Sequence, residues 1–223
     1  MAFTEGLEIV NGRKGADVPA RGRGARRPRT KREAIVDAAT EAFLVSGYGA
    51  VSMDQIAKVA GVSKQTVYSH FGSKAALFGA VIQARCDRLI QPNAEGLSPA
   101  DPERALLELA ERFIGAILAP ENMASFRAVI AEIGRFPELA DAFYRSGPRL
   151  AAAYLADYLK VVGKAGDYRF PDPHASARLF FAMMRGDIYM RCLLEVGPNV
   201  SKGEVRRTVR HAVRVFLAGH KAV

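Results

Sequence analysis

Apolar residues recur at intervals of three and four along most of the chain, which is the period expected when an α-helix buries one face. The first such stripe consists of Ile35, Ala38, Ala39, Ala42 and Phe43. No segment sustains the alternation of apolar and polar residues that a half-buried strand requires. The pattern therefore predicts an all-α protein.

Residues typical of helix ends divide the segment 30–75 into three helices and the start of a fourth. Thr30 and Ser52 are each followed three residues later by Glu or Gln, which is the capping-box arrangement. Ser63 and Ser73 are further candidate N-caps, and glycines suited to helix C-termini follow the first three helices, at Gly47, Gly61 and Gly72. Two short helices joined by a glycine-containing turn indicate a helix-turn-helix unit.

The rest of the chain is predicted to form longer helices separated by prolines and glycines. After the helix that starts at Ser73 we expect helices near 101–118, 121–135, 137–162, 173–196 and 201–219. Pro148 falls inside the segment 137–162, and its ring and missing amide should interrupt or kink that helix. The predicted fold is a three-helix helix-turn-helix domain followed by a larger helical domain.

The basic charge of the chain is concentrated near its beginning. The 223 residues include 32 Lys and Arg against 23 Asp and Glu, a formal net charge of +9. Nine basic residues and one acid, Asp17, lie between Arg13 and Arg32, so this stretch alone carries +8. Residues 1–28 also lack apolar periodicity and are rich in glycine, which predicts a disordered basic arm.

Several classes of protein are disfavoured by what the sequence lacks. Cys86 and Cys192 are too few for a disulfide framework and are expected to be buried thiols, and the histidines have no ligand-spaced partners, so no metal site is expected. No run of about 18 uncharged apolar residues predicts a membrane span, and no secretory pattern opens the chain, so we expect a cytoplasmic protein. The lack of nucleotide-binding or hydrolase motifs argues against an enzyme and against a cofactor.

The second short helix of the predicted unit, Ser63 to His70, is a candidate for reading DNA. The major groove of B-DNA admits one helix, and a helix-turn-helix places its second helix there. Val62 and Val67 would face the preceding helix, which leaves a polar side made of Lys64, Gln65, Thr66, Ser69 and His70. The alternative is that these residues are the solvated face of an ordinary surface helix.

The run from Ile56 to Lys74, IAKVAGVSKQTVYSHFGSK, resembles the signature of TetR/AcrR-type transcriptional regulators. The resemblance extends over residues 29–75. It departs from the pattern at Ser69, where the family often has an aromatic residue, and at Ala75, where it often has an acid.

This resemblance implies a set of DNA contacts in the helix-turn-helix domain: Ser52, Ser63, Lys64, Gln65, Thr66, Tyr68, His70 and Lys74. Lys64, Gln65 and Thr66 would face bases, and Tyr68 and His70 would meet phosphates or base edges. Ser52 and Lys74 would bind phosphates. Lys74 stands at the start of the fourth helix, where free amides and the positive end of the helix dipole favour a phosphate. His70 could instead pack against Phe71 as a structural residue.

The arginines just before the first helix are placed to extend the DNA contacts. An Arg-rich arm beside a helix-turn-helix can enter the adjacent minor groove, where a narrow A·T tract concentrates negative potential. The candidate residues are Arg23, Arg26, Arg27 and Arg29. The alternative is a solvated arm that adds only non-specific attraction to phosphates.

The C-terminal part resembles, more loosely, the C-terminal domain of the AefR-like subgroup, on the run from Phe126 to Pro148. The resemblance implies dimerisation and an effector pocket. Candidate pocket residues are Phe113, Phe126, Phe143, Tyr144, Phe181, Met184 and Tyr189, although such residues at helical spacing more often belong to plain core. Few buried charges can be identified in this part, which suggests an apolar or weakly polar effector.

The last two predicted helices, 173–196 and 201–219, carry apolar stripes. Paired with a symmetry mate they would form a four-helix bundle, and a two-fold dimer would read two half-sites. The alternative is that the stripes pack only within one chain.

These observations divide the chain into an arm at 1–28, a DNA-binding domain at 29–75 and an effector-binding and dimerisation domain at 76–223. We expect a homodimeric repressor that leaves a palindromic operator when a small apolar effector binds. The alternative is a constitutive or architectural DNA-binding protein without an effector.

Overall fold

Helices make up nearly all the regular structure of the chain. The structure is a computed structural model that describes residues 30–94, 97–196 and 200–222. Its helices are α1 (Lys31–Ala50), α2 (Met53–Ala60), α3 (Lys64–Phe71), α4 (Lys74–Ala94), α5 (Pro102–Ile117), α6 (Pro120–Ile133), α7 (Pro137–Tyr144), α8 (Leu150–Ala165), α9 (Pro173–Leu194) and α10 (Lys202–Ala218). The predicted all-α class is confirmed. The predicted arm, with Arg23, Arg26, Arg27 and Arg29, lies outside the described residues.

The predicted capping residues start the first helices. The Thr30 hydroxyl accepts a hydrogen bond from the Glu33 amide at 3.2 Å, and the Glu33 carboxylate accepts one from the Thr30 amide at 2.7 Å. Ser52 and Gln55 form the same reciprocal pair at the start of α2. These bonds satisfy amides that a helix leaves unpaired at its first turn, so the start of each helix is set within four residues of sequence.

Gly47 interrupts α1, as its position in the sequence predicts. Its φ of 76° and ψ of 165° lie outside the helical region, although helical turns continue to Ala50. A Cβ at this position would stand 2.8 Å from an oxygen of Glu132 on α6. The positive φ therefore favours glycine, and a larger residue would also have to displace the Glu132 carboxylate.

The predicted helix at 137–162 is divided where Pro148 falls. α7 ends at Tyr144, a π-helical turn covers Arg145–Arg149, and α8 begins at Leu150. A Cβ on Gly147 of this turn would lie 3.2 Å from the Ile82 side chain, and one on Gly79 would lie 3.0 Å from the Ser146 hydroxyl. The absence of side chains at these glycines lets α4 run close against the π-helical turn.

Buried side chains form two hydrophobic clusters. The first gathers residues from α1 to α3 with Leu77, Phe78 and Val81 of α4, and also takes in Val129 of α6 and Leu139 of α7. The second is formed by α5, α8, α9 and α10, together with Cys86 of α4 and further apolar residues around it. One long helix, α4, thus contributes to both clusters, and a division after residue 75 stays a prediction.

The two cysteines differ in exposure. Cys86 is buried, and burial is the main cause that raises the pKa of its thiol to about 12, with the charge of Asp87 second. Cys192 is half-buried. Among the described residues no cluster of His, Cys, Asp or Glu side chains is placed to hold a metal ion.

None of the described helices is by itself long and apolar enough to cross a membrane. The pair α5 and α6, bent by 64°, reaches the length and composition of a span only when taken together. The apolar face of α5 is already buried in the second cluster, at Ala105, Leu106, Leu109, Ala110, Phe113 and Ile114.

Candidate nucleic-acid interface

α2 and α3 are joined by a tight left-handed turn. Gly61 has φ +67°, and the next amide, of Val62, donates to the Ala57 carbonyl at 3.0 Å. The Ser63 hydroxyl then accepts from the Thr66 amide at 3.1 Å and starts α3. The geometry is that of a helix-turn-helix, with the turn residue that such a left-handed backbone favours.

α3 is held to the protein mainly by the buried Val67, with the half-buried Phe71 at its end. Val67 is fully buried, and burial of a side chain of this size stabilises by about 1.5–3 kcal/mol. The Lys64, Gln65 and Tyr68 side chains around it are exposed. An eight-residue helix that is anchored on one side and polar on the other presents a surface of the size that a major groove accepts.

The polar side chains of α3 are engaged to different degrees. The Lys64 amino group pairs with Asp54 at 3.0 Å, but both side chains are 59% exposed, so the pair is weak and can exchange for a DNA contact. The hydrogen bond to Asp54 is also the main cause that raises the pKa of Lys64, which keeps it charged. The Ser63 and Thr66 hydroxyls lie 2.8 Å apart, and both serve the start of the helix.

His70 lies at the C-terminal end of α3 and is exposed. Its ring centroid is 6.1 Å from that of Phe71, with the planes tilted by 51°. This separation lies within the usual range of ring pairs, so His70 packs loosely against Phe71 while its ring stays exposed. The geometry leaves His70 available to an approaching phosphate or base.

Lys74 does not point freely outward. Its amino group lies 4.4 Å from the Tyr48 ring centroid and 5.8 Å from the Phe136 ring centroid, and it donates to the Gly49 carbonyl at 3.4 Å. Burial lowers the pKa of Lys74, against the opposing effect of the Glu132 and Glu138 charges. The Lys74 amino group is thus already engaged by protein groups and only partly exposed.

The surroundings of Lys74 form a contact between α6–α7 and the end of α1, which we call the Glu132 junction (Tyr48, Gly49, Lys74, Glu132 and Phe136). The Glu132 carboxylate accepts a hydrogen bond from the Gly49 amide at 2.7 Å. The Tyr48 and Phe136 rings meet edge to face at 5.3 Å. Burial, followed by the charges of nearby glutamates, raises the pKa of Tyr48 to about 12.

Sequence reasoning did not find the Glu132 junction. Glu132 and Gly49 are 83 residues apart, and no capping or periodicity signal links them. It also did not single out Arg32, whose guanidinium lies 5.3 Å from the Phe71 ring centroid at the end of α3. The glycines at 47 and 49 were the available signal, since each meets a side chain of the α6–α7 corner at short range.

Comparison with known proteins agrees with the helix-turn-helix geometry. Residues 35–81 match the tetR family of bacterial regulatory proteins, and residues 104–222 match the C-terminal domain of AefR-like transcriptional repressors. The chain belongs to the TetR family. It is therefore a DNA-binding transcriptional regulator and not an enzyme.

Relatives of this TetR-family chain differ in how much of it they match. The transcriptional activator FasR of Mycolicibacterium smegmatis is 42% identical over 101 residues, which is 44% of this chain and 46% of FasR, so the chain matches less than half the length of that relative. A TetR-family regulator from Mesorhizobium loti has 31% identity and a TM-score of 0.69, over 86% of this chain and 97% of its own. The flavonoid-responsive regulator FrrA has 33% identity and a TM-score of 0.67 over the same shares.

Six of the seven candidate pocket residues of this TetR-family protein fall into two groups of three. Phe113, Phe181 and Met184 are buried in the second hydrophobic cluster, where the two phenylalanine centroids are 4.5 Å apart. The Phe126 ring is 5.5 Å from Phe143 and 5.9 Å from Tyr189, and these three residues are only partly buried. The seventh, Tyr144, is 54% exposed.

The expectation of few buried charges has an exception between these groups. Arg185 of α9 is half-buried, and its guanidinium lies 5.7 Å from the Phe113 ring centroid. An open cleft of about 510 Å³ lies elsewhere, between α5, the end of α9 and α10, and is lined by residues that include Leu118, Cys192 and Val205. None of the seven candidate residues lines that cleft.

Proposed function

We propose that this TetR-family regulator is a homodimeric repressor that binds a palindromic operator and leaves it when a small effector binds. The observation that carries the proposal is the exposed polar face of α3, held in place by the buried Val67. Because the proposed partner is chromosomal DNA, the proposed compartment is the cytoplasm.

The proposed DNA contacts are those of the helix starts and of α3: Ser52, Ser63, Lys64, Gln65, Thr66, Tyr68, His70 and Lys74. Lys64 and Gln65 are exposed and can pair with base edges, whereas Tyr68 and His70 stand farther along α3, toward the backbone. The Ser52 and Ser63 hydroxyls accept amides of their own helices, so their phosphate contacts would come from the remaining lone pairs, the hydroxyl protons and nearby amides.

The basic arm is proposed to add affinity. Arg23, Arg26, Arg27 and Arg29 precede α1, close to where the helix-turn-helix would meet DNA. If the arm neutralises about four phosphates per dimer, deleting residues 1–27 should flatten the log–log salt dependence of binding by about 3.6. An unchanged slope would show that the arm does not contact DNA.

The proposed dimer contact is a second, exposed apolar stripe on α9. Leu179, Met190 and Leu194 are 52%, 52% and 62% exposed, while the opposite face of α9, with Phe180 and Ile188, is buried within the chain. Val215 adds an exposed apolar side chain on α10. Apolar surface at helical spacing on neighbouring helices favours a four-helix bundle with a second copy.

The Glu132 junction and the π-helical turn support a route from effector to DNA. An effector among α5, α6, α7 and α9 would contact the helices that touch Gly49 and Lys74 through Glu132 and Phe136. The π-helical turn next to α7 contacts Ile82 of α4, which continues from the helix-turn-helix. A small shift of α4 and α6 would change the separation of the two α3 helices in a dimer.

Activation of transcription is a second candidate. The repressor proposal draws on the AefR-like match over residues 104–222, whereas FasR, 42% identical over 101 residues, is named an activator. Constitutive binding without an effector is the remaining alternative, and the half-buried Arg185 beside the aromatic groups is what argues against it.

The DNA-binding proposal is tested by selection from random duplexes with the full chain. We expect a palindromic site, and we expect Lys64→Ala with Gln65→Ala to weaken binding to it by about 100-fold, since each good base contact contributes about 1–3 kcal/mol. Lys164→Ala is the matched control, because it removes an exposed lysine from the distant helix α8. A site of no symmetry, or equal losses for both variants, would contradict the proposal.

The direction of regulation needs a transcription assay. A promoter that contains the selected site is transcribed in vitro with and without the protein. Lower output with the protein is expected of a repressor, and higher output would instead favour the activator alternative.

A further inference from the structure

α9 places a cation, Arg185, among aromatic side chains. The guanidinium carbon lies 5.7 Å from the Phe113 ring centroid, and Tyr189 follows one helical turn later on α9. Burial lowers the pKa of Arg185, as it does for a charge that lacks full solvation. In the part of the chain that the structure describes, no hydrogen bond and no carboxylate satisfies this guanidinium.

Other partly buried arginines of the same region are paired. Arg191, six residues later on α9, contacts both Asp187 and Glu204. Arg127 of α6 donates to the carbonyls of Cys192 and Leu193, and it pairs with Glu195 at 2.8 Å. Arg185 is different because its neighbours supply ring faces and phenol groups instead of acceptors of matching charge.

A cation–π contact leaves the donors of an arginine unused. The guanidinium has five N–H donors in a planar fork, and this fork matches the two oxygens of a carboxylate. Because no protein carboxylate among the described residues occupies this fork, its donors are free to bind the carboxylate of a ligand. Because one guanidinium carries a single positive charge, it balances a ligand with a single carboxylate.

The side chains near Arg185 indicate the chemistry of the rest of such a ligand. Tyr189 lies one helical turn further along α9, and its ring lies 5.9 Å from Phe126, which in turn lies 5.5 Å from Phe143. Phe113 of α5 therefore lies against the cation, and Tyr189 connects α9 to the ring cluster of α6 and α7. Rings of this kind bind an apolar or aromatic body.

We propose that Arg185 is the anchor of the effector site, and that the effector is a monocarboxylate with an apolar or aromatic body. The proposal rests on the effector-responsive function proposed above and specifies the chemistry of the ligand. The carboxylate accepts from the Arg185 fork beside the Tyr144 and Tyr189 hydroxyls, and the body lies against Phe113, Phe126 and Phe143.

The site is placed where a ligand can act on the DNA-binding helices. Arg185 is followed by Gly186, at which the backbone of α9 leaves the helical region. Tyr144 is the last residue of α7, directly before the π-helical turn whose Gly147 lies against Ile82 of α4. An anion that draws Arg185 and Tyr144 together would therefore change the packing of α4.

The test compares acids with their own amides on the full-length protein. Dodecanoate, 4-phenylbutanoate and 2-naphthoate are titrated calorimetrically beside the corresponding primary amides, which have the same bodies without the charge. We expect at least one acid to bind ten- to a hundredfold more tightly than its amide, the range of about 1.4–2.7 kcal/mol typical of hydrogen bonds to a charged group. Equal binding of acid and amide, or no binding by any of the acids, would overturn the proposal.

The residue is tested by three variants. Arg185→Gln should abolish the preference for the acid and leave binding of the amide unchanged. Arg178→Gln, which removes an exposed arginine two turns earlier on α9, should keep the preference. Arg185→Lys covers the case in which the glutamine variant does not fold. It should retain a preference for the acid over the amide but bind the acid several-fold more weakly than the wild type. Acid binding as tight as that of the wild type would contradict the bidentate contact.

A DNA-binding measurement separates this inference from the proposed function. Operator binding by the wild type and by Arg185→Gln without any ligand is expected to be equal. If both bind the operator and no acid preference is found, the inference fails and the DNA-binding function stands. If acids bind through Arg185 but never release the operator, the proposed effector response fails.

Discussion

The helix-turn-helix region and the α6–α7 corner both contain eight-residue helices, but they are held in different ways. α2 and α3 each start at a serine whose hydroxyl accepts an amide of the first turn. α7 has no side-chain cap, and it continues directly into the π-helical turn. Helices this short are marginal by themselves, so α7 depends on its tertiary contacts.

This difference matches the tasks proposed for the two regions. A surface that reads DNA has to keep one shape, and at α2 and α3 the hydrogen bonds at Ser52 and Ser63 add local support to the packing of Val67. A region that responds to a ligand has to move, and α7 is held mainly by packing, above all by the fully buried Leu139. A helix held by packing can shift while it exchanges one set of side-chain contacts for another. A helix held by a cap loses that hydrogen bond when its first turn moves.

Replacing the anchor of α3 should have the largest effect. In Val67→Asp a carboxylate would occupy a fully buried position without a partner, which costs several kcal/mol. We expect operator binding to be lost while the oligomeric state, measured by analytical ultracentrifugation, is retained. Val59→Asp is the control, because Val59 is 65% exposed on α2 and the change should leave the melting temperature nearly the same.

Leu139→Ala tests whether α7 is held by packing. Removing a fully buried leucine is expected to cost about 2–5 kcal/mol. Because Leu139 packs in the cluster of α1–α4, the loss should also appear in the helix-turn-helix region, as faster amide hydrogen exchange of α1. Ile130→Ala on α6, where the side chain is 48% exposed, should cost much less. If amide exchange of α1 in Leu139→Ala were as slow as in the wild type, the stability of the helix-turn-helix region would not depend on the packing of α7.

Met190→Glu tests the proposed dimer surface. Two glutamates brought together across a two-fold axis in an apolar bundle should weaken dimerisation by at least about 2 kcal/mol, or roughly 30-fold. Sedimentation and operator affinity are expected to change together. Val161→Glu, at a comparably exposed position on α8, serves as the control. A dimer unaffected by Met190→Glu would place the contact elsewhere.

Glu132→Ala is expected to have the smallest effect on stability. It removes the hydrogen bond to the Gly49 amide, worth about 1 kcal/mol, which corresponds to about 2–4 °C in melting temperature for a chain of this size. Glu132→Gln keeps an acceptor and should lose less. If the junction couples the two regions, the effector will release less DNA from Glu132→Ala than from the wild type. The operator affinity of the variant without effector should stay the same. An unchanged release would show that coupling runs through α4 alone.

Much of the helix-turn-helix region was predictable because its signals are local. Capping boxes at Thr30 and Ser52, and the glycine at position 61, act within one helical turn, and the structure has each of them as expected. Pro148 likewise indicated an interruption, although the π-helical form of that turn depends on the close packing against α4. The DNA contacts themselves stay predictions.

The candidate effector residues were less predictable. Aromatic residues at helical spacing serve both cores and pockets, and sequence cannot separate the buried pair Phe113 and Phe181 from the exposed Tyr144. Arg185 was not singled out, because its significance lies in the absence of a partner among the described residues around it. That property is decided by which helices meet, and no local pattern carries it.

The sequence by itself determined the helices, their caps, the helix-turn-helix and the uneven charge, since each depends on interactions within a few residues. Only the tertiary structure decided that Lys74 lies against Tyr48 and Phe136, that Glu132 accepts a hydrogen bond from the Gly49 amide, and that Arg185 lies over the Phe113 ring. The reason is physical: these contacts join side chains that are tens of residues apart, and their formation depends on how whole helices pack.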